Sequence, residues 1–177
     1  MQRLAAGDDL ALNDIMRRWQ ERLVAFLVRM TGDHAAAVDL AQETFVRLYQ
    51  HRTSYMPTAA FAAYLFRIAS NLARNHARWK QRHPTVSMDD CESSTPEPAT
   101  SSSAPDQQME EGERLKVIEA ALAALPPDLR EAILLFTYQE MSYAQIAEAT
   151  HCSPKAVETR IYRARLILKS TLRNLDS

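Results

Sequence analysis

Lys155, Thr159 and Arg163 recur at intervals of four near the end of the sequence. On a helix that spacing sets two cations and a hydroxyl on one face. Such a face makes or breaks no covalent bond; it neutralises phosphates and hydrogen-bonds base edges. Ala156 and Arg160 flank it, and Ser153-Pro154 stands before it as an N-cap followed by a residue preorganised for the first turn. The N-terminal residues of a recognition helix reach bases, so Lys155, Ala156, Thr159 and Arg160, with Ser153 at the same end, are the candidate readers. Arg163 and Arg165 are better placed for phosphates.

Groupings that would carry catalysis are missing. There is no Gly-rich phosphate loop, no HExxH and no Ser/His/Asp grammar, and His34, His51, His76, His83 and His151 are scattered. Cys91 and Cys152 belong to no CxxC or Cys/His array, so no metal site is expected. We expect neither an enzyme nor a bound cofactor.

The formal net charge of −1 conceals a segregated distribution. Between Glu43 and Asp89 there is no acidic residue, while Arg47, Arg52, Arg67, Arg74, Arg78, Lys80 and Arg82 all fall there. From His83 to Gly112 the pattern inverts, with Asp89, Asp90, Glu92, Glu97, Asp106, Glu110 and Glu111 and no Lys or Arg. From Ser153 onward the chain is basic again. Partner choice follows local charge, so two basic lobes joined by an acidic strap predict two phosphate-binding surfaces. No apolar run approaches the roughly 18–20 residues a membrane span needs. No membrane insertion is expected, and the cytoplasm is the expected location.

The elements that must hold these residues are helices. Only three glycines occur in 177 residues, and Ala, Leu, Arg, Gln and Glu dominate. Leu12, Ile15, Trp19, Leu23, Phe26, Leu27 and Met30 predict an amphipathic helix from about Leu10 to Met30. Gly32 stops it and Asp33 caps the next, which runs to about Tyr49 with Val38, Ala41, Phe45 and Leu48 inward. After a loop at 51–58, Thr58 caps a third helix to about Arg82, with Phe61, Leu65, Ile68 and Leu72 buried and Tyr64 and Phe66 read as core. The Pro/Ser-rich segment that follows cannot bury enough area to offset its ordering entropy and reads as a flexible linker.

Beyond it, residues 113–124 place Leu115, Ile118 and Leu122 on one side. Asp128 and Glu131 form a capping pattern for the next helix, with Leu129, Ile133 and Phe136 inward. Ser142 and Gln145 form a second capping box ahead of Ile146 and Ala147. A short helix, a tight turn and a longer basic helix with Val157, Ile161, Ala164 and Leu168 buried have helix-turn-helix proportions.

With these residues in view, a resemblance emerges. Pro126-Pro127-Asp128-Leu129-Arg130-Glu131-Ala132, Met141-Ser142-Tyr143-Ala144-Gln145-Ile146-Ala147 and the run Ser153–Arg165 resemble conserved region four of the extracytoplasmic-function (group 4) sigma factors of the sigma-70 family. Gly32-Asp33 and Asp39–Tyr49 resemble that family's region 2.2, and Phe61–Arg78 its regions 2.3 and 2.4. Tyr64 and Asn75 depart from the Trp and Asp that the family commonly carries there.

The resemblance implies an all-α protein of two small helical domains. Residues 1–82 would be region 2, 83–112 the linker and 113–177 region 4. It implies as partners core RNA polymerase (the β′ clamp helices and the β flap), promoter DNA and an anti-sigma protein. Asp39, Gln42, Glu43, Phe45 and Arg47 would engage polymerase. Asn71, Arg67, Arg74, Arg78, Lys80 and Arg82, with Trp79 stacking and Tyr55 walling a base pocket, would capture the melted minus-ten strand. The helix-turn-helix would read the minus-thirty-five element. The competing reading is a stand-alone helix-turn-helix regulator, which would not need an acid-free first lobe.

Overall fold

The computed structural model describes residues 1–55, 60–83 and 105–173. Among these are eight α-helices, one 3-10 turn and no strand. In chain order they are α1 (Gln2–Ala5), α2 (Leu10–Thr31), α3 (His34–Gln50), a 3-10 turn (Arg52–Ser54), α4 (Phe61–Arg82), α5 (Pro105–Ala123), α6 (Pro127–Thr137), α7 (Tyr143–Thr150) and α8 (Pro154–Arg173).

The first lobe is α1 to α4. Gly32 takes φ +71°, a left-handed value that a side chain would strain, and this lets α3 start within two residues of the end of α2. Asp33 then caps α3, its Oδ1 accepting from the Ala36 N–H at 3.1 Å, as expected. Leu23, Phe26 and Leu27 of α2 meet Ala41, Phe45 and Leu48 of α3 and Leu65 and Phe66 of α4 in the core. Phe66 packs edge-on to Phe26 at 5.2 Å and Trp19 at 6.3 Å. Each such ring or leucine contributes about 1.5–3 kcal/mol by leaving water. The α4 helix opens from Ala60 without a side-chain cap. Thr58, expected to cap it, lies outside the described residues, as does most of the expected linker.

The second lobe is α5 to α8, and it departs from expectation at three points. Helix α5 begins at Pro105 rather than near residue 113. Its first turns are rich in helix formers, and proline is tolerated at a first helical position. Leu115 and Ile118 are exposed and only Leu122 of the expected stripe turns inward; Ala121 and Leu125 complete the contribution there. Finally, α6 starts at Pro127 behind Pro126 with no side-chain cap, so the predicted Asp128/Glu131 box does not form. Glu131 is occupied elsewhere.

The reason lies in how the lobes meet. Leu129 and then Glu131 through Leu135 are all buried on α6, and five consecutive buried residues cannot belong to one helical face. The helix is covered by α7 and α8 of its own lobe and by α2 of the first, while α4 packs against α7. One buried cluster runs from Leu4 to Ala164 across both lobes. The two helical domains expected from the sequence pack against each other here.

Candidate nucleic-acid interface

The α4 helix runs unbroken to Arg82, which fixes the angular position of every basic group on it. At 3.6 residues per turn, Arg67, Asn71, Arg74, Arg78 and Arg82 share one stripe. Lys80 falls on the opposite side, so the structure does not bring it to the others. Arg67 lies 5.1 Å over the Tyr64 ring, and Tyr64 meets Tyr55 edge-on at 5.0 Å. Asn71 Oδ1 accepts from Arg74 Nη2 at 2.7 Å.

Beside this stripe is a concave space of about 350 Å³ lined by Arg47, His51, Ser54, Tyr64, Arg67, Ile68 and Asn71. It has aromatic, amide and cationic walls, the set that an unstacked base and its phosphate would need. The loop around Tyr55, where the resemblance implies a base pocket, supplies two lining residues, and Tyr64, read from the sequence as core, is a third wall. His51 and Ser54 reach the cavity through the 3-10 turn, which leaves no periodic signal. Arg47, expected to face polymerase, comes from the last turn of α3 and adds a cation here. Tyr55 supports the wall through Tyr64 rather than lining it. Trp79 is 55 % exposed and stacks on His83 with centroids 5.1 Å apart.

On α3, Asp39 and Gln42 are exposed and Glu43 accepts from Arg47 Nε at 2.7 Å, so these make an outward polar face. Phe45 is a correction. It is buried in the core, because its position on α3 is the one that meets α2 and α4, and so it holds the face from beneath.

The second basic face is set by local geometry. Ser142 Oγ accepts from the Gln145 N–H at 3.3 Å and Gln145 Oε1 from the Ser142 N–H at 2.8 Å, the predicted capping box. His151 ends α7 at φ +53°, and Ser153 Oγ accepts from the Ala156 N–H at 3.2 Å to open α8. Val157, Ile161 and Ala164 are buried, as expected, with Leu168 packed against them. This turns Lys155, Thr159 and Arg163 outward and leaves Ala156 and Arg160 half-buried. Lys155 pairs with Glu158 at 2.7 Å, and Thr159 donates to the Lys155 carbonyl at 2.9 Å. Arg160 reaches Asp128 at 3.5 Å. Arg165 departs from the group: its guanidinium lies 5.0 Å over the Phe136 ring, on the far side of α8 from Arg163.

Between the faces sits Glu131, 1 % exposed, with Arg74 Nη1 at 3.2 Å from Oε2. Burial pushes its carboxyl above the ordinary range, opposed by the charges of Arg74 and Arg160. Glu131 Oε1 and Ser70 Oγ have no hydrogen-bond partner among the described residues. Among those residues no cluster of His, Cys, Asp or Glu could hold a metal, and no helix is long and apolar enough to cross a membrane.

Comparison with known proteins matches residues 15–83 to "Sigma-70 region 2" and residues 115–168 to "Sigma-70, region 4". The chain is 30% identical to the RNA polymerase sigma-H factor of Pseudomonas aeruginosa over 99% of its own length and 93% of that protein's. It is 33% identical to the RNA polymerase sigma factor CarQ of Myxococcus xanthus, over 99% and 97%. Among solved structures, the sigma factor RpoE of Bartonella quintana, in complex with the anti-sigma factor NepR, superposes with a TM-score of 0.72 at 25% identity, covering 91% of this chain and 96% of that one.

Proposed function

The chain belongs to the sigma-70 family, in its extracytoplasmic-function branch, and from that premise we propose how its surfaces divide the work. It is a sigma factor: it binds core RNA polymerase and directs it to promoters. The stand-alone regulator is not favoured, since both sigma regions are matched in order along one chain.

The residue assignments are ours. The outward face of α3, with Asp39, Gln42 and Glu43, docks on the polymerase β′ clamp helices, and the second lobe engages the β flap. The cavity beside Asn71 takes an unpaired base of the minus-ten strand, with Arg47 and Arg67 at its rim and Arg74, Arg78 and Arg82 tracking the backbone. Lys155, Ala156, Thr159 and Arg160 read the minus-thirty-five duplex and Arg163 holds its phosphates. Residues 1–82 and 113–177 are the two functional units. The chain itself performs no bond chemistry and acts in the cytoplasm, where polymerase and promoters are. An anti-sigma protein is a further partner, by likeness to the NepR-bound relative.

The observation that carries this reading is the pairing of a base-sized cavity beside an amide on α4 with a capped, outward-facing basic helix α8. Run-off transcription with core polymerase on a promoter library tests it. Promoter-specific initiation is expected, and its absence would remove the assignment.

A further inference from the structure

We propose that Leu4 and Arg52 are positioning residues for the base cavity: they seat the 3-10 turn, and so set where His51 and Ser54 stand against Asn71, without meeting DNA themselves. The inference rests on the reading of that cavity as the seat of an unpaired base.

The turn cannot place itself. It has three residues, and none of them is buried. What it does have is internal closure: the Ser54 N–H and Oγ both donate to the His51 carbonyl, at 3.2 and 3.0 Å. The two lining residues therefore move as one unit, and their place depends on what holds that unit from outside. A binding site tolerates only about 0.5 Å of misplacement.

Two contacts do the holding. One is α1, which packs against both α2 and the turn. A helix of four residues does not persist on its own, because the first turn costs more order than its few hydrogen bonds return. Docking keeps it: Leu4 is fully buried in the core, with Met1 packed beside it. Chain ends ordinarily fray, and this one is tied down next to the cavity wall.

The other contact is Arg52. Its Nη1 donates to the Tyr49 carbonyl at 3.0 Å, and its guanidinium lies 3.9 Å over the Tyr49 ring. Tyr49 packs against the core, so Arg52 fastens the turn to the end of α3. Arg47 and Arg67 line the cavity and Arg52 does not. A cation of the acid-free lobe is thus committed to the protein's own backbone and ring.

The test uses holoenzyme carrying the full-length chain, on promoters randomised across the melted strand. Base preference is read at each position, beside the salt dependence of promoter binding. Leu4→Ala and Arg52→Ala are each expected to lower preference severalfold at one position, the same one that Asn71→Ala affects, with polymerase affinity unchanged. Leu4→Met, which conserves volume, is expected to keep the wild-type preference. Arg52→Ala is expected to leave the salt slope alone, whereas loss of a phosphate contact lowers it by about one. Should Leu4→Ala unfold, as circular dichroism would show, the half-buried Arg52 carries the test. If Asn71→Ala alters preference and the folded positioning variants do not, the positioning role is overturned and the cavity reading stands. If Asn71→Ala alters none, the cavity reading falls and this inference with it. Loss spread over all positions, or a lowered salt slope in Arg52→Ala, also overturns the proposal.

Discussion

Arg74 Nη2 donates to Asn71 Oδ1 at 2.7 Å, and this one bond fixes which way the Asn71 amide faces. With its oxygen held, the amide nitrogen is the end left to donate to a base in the adjoining cavity. Asn71→Ala is therefore expected to impair open-complex formation more than polymerase binding. Permanganate footprinting beside a polymerase-binding titration checks this, and equal loss in both would dismiss the role.

Arg160 is half-buried against Asp128, so it arrives at DNA already oriented. Arg160→Ala is expected to weaken recognition of the upstream element by about 1–3 kcal/mol and to relax preference at one position. Sequencing of promoters selected by the holoenzyme reads this directly. Unaltered selectivity would move base reading elsewhere on α8.

Two arginines two positions apart on that helix are expected to behave differently. Arg163→Ala should lower the salt dependence of holoenzyme binding to promoter DNA by about one unit of slope. Arg165→Ala should leave the slope alone and cost about 0.5–1 kcal/mol of stability through lost contact with Phe136. Binding isotherms across a salt series, with denaturant melts, separate the two.

The Ser142–Gln145 box holds two otherwise unpaired amides at the start of α7. Ser142→Ala should destabilise the protein by about 1 kcal/mol. Urea unfolding of the full chain measures it, and an effect near zero would mean that packing alone sets that end.

Glu131 gives a pH dependence whose sign is fixed. Its carboxyl is raised by burial, with Asp128 adding to the effect and the charges of Arg74 and Arg160 opposing it. The native state thus holds that proton more tightly than the unfolded chain does. Its contribution is full below the ordinary Glu value of 4.5 and is lost as pH rises through the elevated native value. Relative to Glu131→Gln, wild type should lose stability as pH climbs from that point. Paired unfolding curves check this, and a constant difference would contradict the assigned cause.

Legibility from sequence divides along physical lines. Asp33, the Ser142–Gln145 box and the Val157/Ile161/Ala164 stripe were readable because capping and periodicity are local, set by residues three or four apart. Glu131 was not: its spacing from Asp128 fits a cap, and only a partner 57 positions earlier makes it a seam residue. The pocket loop around Tyr55 was legible only through the family resemblance, because the irregular turn that carries His51 and Ser54 to the cavity leaves no period in the sequence. Arg165 was taken for a phosphate contact by its charge, and the Phe136 ring that engages it belongs to another helix.

Glu131 also explains what α6 is not. A leucine at that position would bury well against the first lobe and would need no partner. A carboxylate there must keep Arg74 beside it, and the pair adds little net stability for its burial. Displacing either helix would leave a buried charge alone, so one ion pair sets where α6 sits relative to α4.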